Sequence, residues 1–140
     1  MAFVDPEIIF EQSNVKRAVS TSKAPAAIGP YSQAIQAGEF LFVSGQIPVD
    51  PATGEIPDYI ALQARRSLEN LKAVVEAGGY TLADVVKTTV FAADIADFAE
   101  INTVYAEYFP NEAPARSFVA VKGLPKGVGV EIEAVAWHRK

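Results

Sequence analysis

Two amphipathic helical segments lie among strand candidates that are apolar on both sides, and this combination limits the fold more than any other feature. Residues 40–43 and 130–137 carry apolar side chains on both faces of a strand. Two helices can cover only one face of a sheet. The other face must then be buried by further copies of the chain, so we expect a homo-oligomer with ligand sites at subunit boundaries.

The order of the elements predicts the fold class. One helix is expected to begin at Asp58, as its cap, and to end at Gly78-Gly79. A second is expected to begin at Asp97, with Glu100 three residues later in a capping-box arrangement. Strands precede, separate and follow these helices. The prediction is a single α+β domain, a mixed β-sheet with two helices packed on one face.

Composition excludes several classes of function. The chain has 140 residues, of which 50% are hydrophobic, as expected for one folded domain. Its net charge of −5 removes any general attraction to nucleic acid or to anionic membranes. It has no cysteine and a single histidine, His138, which rules out disulfides, thiolate catalysis and histidine-cluster metal sites. We expect neither a metal nor a cofactor.

The location of the protein is predicted from two further features. The sequence contains no apolar run of the roughly eighteen residues that a membrane span needs. Residues 1–12 include Asp5, Glu7 and Glu11 but no lysine or arginine, unlike a signal or transit peptide. A cytoplasmic protein that does not bind membranes is expected.

Charged residues in two apolar strand candidates point to a binding site. Glu131 and Glu133 are two residues apart and therefore share a face, where like charges repel unless a cation or water lies between them. Arg116 is the expected cation, because a guanidinium in an apolar strand needs a partner. Arg116 either forms a structural ion pair with one of these glutamates or receives the carboxylate of a small ligand.

The chain resembles the reactive intermediate deaminase (Rid) family, of the RidA type, over about residues 20–137. The motifs that carry the resemblance are Ala24-Pro-Ala-Ala-Ile-Gly-Pro-Tyr31-Ser-Gln, Val43-Ser44-Gly45-Gln46-Ile-Pro, Val86-Lys-Thr-Thr-Val-Phe91, Asp97-Phe-Ala-Glu-Ile-Asn102, Pro114-Ala-Arg116-Ser and Val130-Glu131-Ile-Glu133-Ala-Val-Ala. The resemblance implies a chorismate-mutase-like fold, a homotrimer with clefts between subunits, and hydrolysis of 2-imino acids to 2-oxo acids and ammonia. Residues 1–15 have no counterpart in short family members and are interpreted as an extension of unknown role, with residues 16–140 as the Rid-type domain.

The resemblance also implies roles for individual residues. Arg116 would hold the substrate carboxylate and Glu131 would position or activate water, with Tyr31 as the third catalytic candidate. The pocket residues would be Ser44, Gly45, Asn102, Phe91 and Phe118. Phe118 stands where some relatives have a small residue, which would narrow or reshape the pocket.

Each of these residues also has an ordinary structural explanation. Tyr31 can be an interior tyrosine with a satisfied hydroxyl, and Ser44-Gly45 can form a bulge or turn. Asn102 can cap a loop, and Phe91 can belong to the core. Glu133 is assigned to structure.

Two alternative functions remain open from the sequence. A non-enzymatic sensor of 2-oxo acids or related carboxylates needs nearly the same pocket as an imine hydrolase. A ribonuclease or translation inhibitor is the third interpretation, which the acidic net charge disfavours.

Overall fold

Six strands and two α-helices make up residues 15–139, the part of the chain that the structure, a computed structural model, describes. The strands are β1 (Arg17–Val19), β2 (Ala34–Ala37), β3 (Phe40–Gln46), β4 (Val85–Ala92), β5 (Ala115–Ala120) and β6 (Val130–Trp137). The helices are α1 (Ile60–Ala77) and α2 (Phe98–Tyr108). The predicted extension over residues 1–15 lies almost entirely outside the described residues and stays a prediction.

All six strands join one mixed sheet in the order β1-β2-β3-β6-β4-β5. Neighbouring strands are antiparallel except β4 and β5, which run parallel and are joined through α2. Strand β6 therefore lies in the middle of the sheet, and β5 lies at one edge. The predicted α+β class, with two helices on a mixed sheet, is confirmed.

Both helices pack on one face of the sheet, as predicted. On α1 the residues Ala64, Leu68, Leu71 and Val75 are fully buried against this face, while Ala61 is half-buried. Each buried leucine contributes about 1.5–3 kcal/mol of hydrophobic free energy. Hydrophobic burial of this stripe fixes which side of α1 faces the sheet, as the period of the apolar residues indicated.

The predicted start of the second helix at Asp97 is confirmed, whereas the start at Asp58 and the capping hydrogen bonds are wrong. Helix α1 begins after Tyr59 rather than Asp58, and α2 follows Asp97 with no hydrogen bond from a capping side chain at either position. A 3-10 turn precedes α2, and Asp94 caps this turn by accepting a hydrogen bond from the Ala96 backbone. The Gly78-Gly79 end of α1 is confirmed, and Gly79 has the left-handed φ of 85° typical of a helix terminus.

The second face of the sheet remains open in a single chain. It presents Phe40, Phe42 and Trp137, each 40–48% exposed, together with half-buried Val135. The expected burial of this face by further copies of the chain stays a prediction. We use the name open face for this side of the sheet. A large apolar patch of this kind marks a surface that associates with another molecule.

Within residues 15–139, neither helix has the length and apolar character needed to cross a membrane.

Candidate active site

The two glutamates of β6 lie side by side on the open face. Alternation along β6 buries Val130, Ile132 and Ala134 beneath the helices and turns Glu131 and Glu133 the other way. On the neighbouring strand β4, Phe91 is paired with Glu131 and Thr89 with Glu133. The prediction that the two carboxylates share a face is confirmed.

Glu131 and Glu133 form one wall of a cleft with a volume of about 710 Å³. Four residues predicted for the site line this cleft together, Tyr31, Ser44, Gly45 and Glu131. The other walls come from residues 25–28, the loop after β3, and the turn that contains Pro125 and Lys126. A cleft with apolar walls and a few convergent polar groups is the usual form of a small-molecule site. We call it the glutamate cleft.

The carboxyl group of Glu131 lies directly against the backbone of Gly45. A Cβ atom at residue 45 would lie 2.8 Å from the carboxyl carbon of Glu131 and closer still to its Oε2 atom. Glycine is therefore needed here for close approach, and the bulge between Val43 and Gln46 gives the backbone room to meet the carboxylate. Burial, and secondarily the charge of Glu133, raises the pKa of Glu131, which makes its carboxylate a stronger base than an exposed one.

Tyr31 stands at the side of the cleft and is half exposed. Its backbone N–H donates to the Gly29 carbonyl at 2.8 Å, which closes a tight turn at this point. The Ser44 hydroxyl donates to the Ser32 carbonyl at 2.6 Å. Ser44 thus ties β3 to the segment that carries Tyr31, so its hydroxyl hydrogen is not available to a ligand in this arrangement.

Buried polar side chains beneath the cleft hold its loops. Gln33, 4% exposed, accepts from the Thr21 N–H at 2.7 Å and donates to the Pro25 carbonyl at 2.7 Å. Asn70 on α1 donates to the carbonyls of Ile47 and Val49 at 3.0 and 2.9 Å. Neither Gln33 nor Asn70 was among the residues predicted for the site. The position of Asn70 between Leu68 and Leu71 could have indicated its role, since a polar side chain on the apolar stripe of a helix needs a buried hydrogen-bond partner.

Arg116 lies on the opposite face of the sheet from the glutamates. On β5 it is paired with Thr88, a buried residue of β4 that faces the helices, whereas Glu131 is paired with Phe91, three residues further on. Positions three apart on a strand face opposite sides. The expectation that Arg116 is the cation next to Glu131 and Glu133 is therefore wrong for a single chain.

Aromatic rings and one amide surround the guanidinium of Arg116. Its Nη1 atom donates to Asn102 Oδ1 at 2.7 Å. Its Cζ atom lies 4.7, 5.4 and 5.8 Å from the ring centroids of Tyr105, Phe118 and Phe98. We call these residues the arginine cage. Cation–π contact favours the charged guanidinium without using its N–H donors, so the group remains able to bind an anion.

The structural ion pair considered for Arg116 does not form. Within residues 15–139, the ion pairs join Arg65 to Glu107 and His138 to Asp84. Arg116 is half-buried, and its polar side-chain partner is the neutral amide of Asn102. A charged group without a charged partner at the edge of a sheet is a candidate for ligand binding.

The predicted site residues thus fall into two groups within one chain. The glutamate cleft holds Tyr31, Ser44, Gly45 and Glu131, and the arginine cage holds Arg116, Asn102 and Phe118. Phe91 belongs to neither group and lies half-buried on the open face opposite Glu131. In the described part of the chain, no three acidic, histidine or cysteine side chains gather to ligate a metal ion.

Comparison with known proteins identifies relatives over nearly the whole chain. A family model described as Endoribonuclease L-PSP matches residues 21–138. A 2-iminobutanoate/2-iminopropanoate deaminase of Escherichia coli K12 is 51% identical over 128 residues, which cover 89% of this chain and 100% of that protein.

Solved structures show the same fold. A putative endoribonuclease of Thermotoga maritima superimposes with a TM-score of 0.87 at 55% identity, over 90% of this chain and 100% of that one. The TdcF protein of E. coli with bound serine superimposes with a TM-score of 0.86 at 50% identity, over 88% of this chain and 99% of that one.

Proposed function

Because the chain belongs to the endoribonuclease L-PSP family, as the resemblance to Rid proteins implied, we propose that it is an enzyme that hydrolyses 2-iminobutanoate and 2-iminopropanoate. The products are the 2-oxo acids and ammonia. The observation that carries the proposal is the carboxylate of Glu131, held over Gly45 in an open cleft with its pKa raised. A relative at 51% identity is named for this deaminase activity.

A complete site needs two copies of the chain. Arg116 and Glu131 face opposite sides of one sheet, so one substrate can meet both only if the arginine cage of one copy covers the glutamate cleft of the next. An interface of two different surfaces closes into a ring when its rotation allows. The exposed apolar residues of the open face support such packing. We propose a homotrimer with three inter-subunit sites.

Arg116 binds and orients the substrate. A 2-imino acid has a carboxylate beside an electrophilic C=N carbon, and a guanidinium binds a carboxylate in bidentate fashion. Asn102 and the aromatic rings hold the guanidinium, and this fixes where the C=N carbon lies in the glutamate cleft. Phe118, beside the guanidinium, limits the space for the substrate side chain.

Glu131 transfers the protons. It accepts a proton from water while the water oxygen bonds to the imine carbon, and the C=N electron pair moves to nitrogen, which takes up that proton. In the second step the hydroxyl proton passes through Glu131 to the amine, the C–N bond breaks, and C=O and ammonia form. Tyr31 lines the same cleft and contacts the nitrogen as it leaves. The raised pKa of Glu131 brings the carboxylate nearer to a useful base at neutral pH.

A binding protein for small carboxylates is the second candidate. The observation in its favour is the structural relative described with bound serine, an amino acid that carries a carboxylate. Glu131→Gln separates the two functions, because a sensor keeps its affinity for a 2-oxo acid whereas the hydrolase loses turnover.

Ribonuclease activity, which the family description names, is the third candidate. It is disfavoured because the net charge is −5 and the cleft contains two glutamates that repel phosphates.

The decisive experiment generates 2-iminopropanoate in situ with an amino-acid oxidase and follows its conversion to the 2-oxo acid. The wild-type chain should accelerate the conversion, and Arg116→Ala should remove most of that acceleration. Arg65→Ala is the matched control, since Arg65 forms a surface ion pair with Glu107 and lies outside both groups of site residues. Equal rates with and without wild-type protein would exclude the deaminase. Equal rates for wild-type protein and Arg116→Ala would exclude the role of Arg116.

A further inference from the structure

The ring of Tyr105 is the support on which the guanidinium of Arg116 rests. It is the nearest of the three surrounding rings, with its centroid 4.7 Å from Cζ, and Tyr105 is only 6% exposed. The other two rings, Phe98 and Phe118, contact each other at 4.7 Å between centroids, and Phe98 is 42% exposed. Tyr105 is therefore the ring with a fixed, buried position.

The ring is held in the core by packing against the Phe109 ring, with 4.8 Å between centroids, and by one hydrogen bond of its hydroxyl. The Tyr105 hydroxyl lies 2.7 Å from Thr88 Oγ1, and Thr88 is completely buried. Thr88 is also the residue of β4 paired with Arg116 of β5. Thr88 on β4 thus bonds Tyr105 on α2, and the ring of Tyr105 contacts Arg116 on β5, the strand next to β4.

The phenol of Tyr105 stays uncharged next to the positively charged guanidinium of Arg116. Burial raises the pKa of Tyr105, and the hydrogen bond with Thr88 and the charge of Arg116 oppose this rise only in part. The phenol is therefore uncharged at neutral pH, and it attracts the guanidinium through its π face.

Asn102 completes the arrangement from the same helix. It lies three residues before Tyr105 on α2, so both side chains point to the same side of the helix. Its Oδ1 atom accepts from Nη1 and fixes one edge of the guanidinium plane. An arginine has five N–H donors, so the other edge remains available for a carboxylate.

We propose that Tyr105 and Thr88 are positioning residues for Arg116 and thereby set the affinity of the site for the substrate carboxylate. This inference rests on the proposed function in that it takes Arg116 as the carboxylate-binding group. Arginine has many rotamers, and a guanidinium held in place before the ligand arrives loses less conformational freedom when it binds. The contact acts on the bound carboxylate equally in the ground state and in the transition state, so it affects KM more than kcat.

The test compares three variants by two measurements, the KM for 2-iminopropanoate and the Kd for 2-oxobutanoate determined by calorimetry. Tyr105→Leu removes the ring and should raise both constants about tenfold, with kcat within about twofold of wild type. Thr88→Val leaves the buried Tyr105 hydroxyl without its partner, which displaces the ring as the hydroxyl reaches for another one, and should raise both constants about threefold. The double variant Thr88→Val with Tyr105→Phe keeps the ring and leaves no hydroxyl unpaired, so it should return to within about twofold of wild type.

Tyr108→Leu is the matched control. Tyr108 lies one turn further along α2, and its hydroxyl donates to Glu69 at 2.6 Å, away from Arg116. It should lower stability but leave KM and Kd unchanged. A folded Tyr105→Leu variant with wild-type Kd, or with no more effect than Tyr108→Leu, overturns the inference. If Tyr105→Leu does not fold, equal Kd values for Thr88→Val and the double variant overturn it.

The two proposals can fail separately. If wild-type protein binds 2-oxobutanoate but does not hydrolyse the imine, the deaminase is excluded while the Kd series still tests the positioning role. If wild-type protein hydrolyses the imine but Tyr105→Leu leaves its KM unchanged, the positioning role is overturned while the deaminase stands.

Discussion

The carboxyl group of Glu131 on β6 lies so close to the backbone of Gly45 on β3 that a side chain at residue 45 would force the carboxyl group to move. This contact places a carboxylate with a raised pKa at the wall of the glutamate cleft. Strand β6 pairs with β3 next to this point, and the irregular register after Val43 lets the two groups meet.

Gly45→Ala should therefore displace Glu131 and lower kcat/KM for 2-iminopropanoate at least about tenfold, with little loss of stability, because the atoms in the way belong to the movable end of the Glu131 side chain. Kinetics and urea denaturation measure the two effects. Gly123→Ala is the control, because no atom lies within 4 Å of a Cβ at that position and both quantities should stay near wild type. A Gly45→Ala variant with normal kcat/KM would show that the position of Glu131 does not matter.

Glu131→Gln should abolish turnover and raise the melting temperature at pH 7. The pKa of Glu131 is higher in the folded protein than its ordinary value, so the ionised carboxylate destabilises the folded state. This penalty is fully present above the folded pKa and disappears as the pH falls below the unfolded pKa. The gain in melting temperature should vanish over the same range. A lower melting temperature at pH 7 would contradict the origin of the shift.

As the pH is lowered, the activity should begin to fall at a pH above the ordinary glutamate pKa of about 4.3. The cause is burial of Glu131 and, to a smaller extent, the charge of Glu133. Glu133→Gln should move the acid limb of kcat/KM to lower pH without bringing it to the ordinary range. An acid limb that does not respond to Glu133→Gln would mean that another group titrates.

Mixing two inactive variants should restore activity if each site uses two copies of the chain. In trimers assembled at random from equal amounts of Arg116→Ala and Glu131→Gln, the chance that a site has both residues intact is one half times one half, about one quarter of wild-type activity. Refolding the mixture from denaturant and assaying deamination measures this. No recovery from a mixture that forms mixed oligomers would show that Arg116 and Glu131 do not act across an interface.

Asn70→Ala should destabilise the folded chain by about 2–3 kcal/mol, because the buried carbonyls of Ile47 and Val49 lose their hydrogen bonds. It should also raise KM, since these residues line the glutamate cleft. Glu76→Ala, at an exposed position of the same helix, should stay within about 0.5 kcal/mol of wild type. Equal denaturation midpoints for the two variants would exclude the anchoring role of Asn70.

Local patterns predicted the elements well, and the details at their ends less well. The apolar stripe of α1 and the shared face of Glu131 and Glu133 follow from the 3.6-residue and two-residue periods, which depend only on neighbours along the chain. Helix α1 begins after Tyr59 rather than Asp58, and Asp97 precedes α2 as predicted but forms no capping hydrogen bond, because a capping side chain competes with turns outside the helix. Here a 3-10 turn capped by Asp94 takes that place before α2.

The sequence by itself determined the class of fold, the family and the residue types of the site, because these depend on composition, on period and on motifs that can be read along the chain. Only the tertiary structure decided that Arg116 and Glu131 lie on opposite faces of the sheet. The two-residue period fixes which residues share a face within one strand, but the pairing register between strands distant in sequence decides how the faces of β5 and β6 correspond. The burial of Gln33 and Asn70 beneath the cleft was decided in the same way, by contacts between segments far apart in the chain.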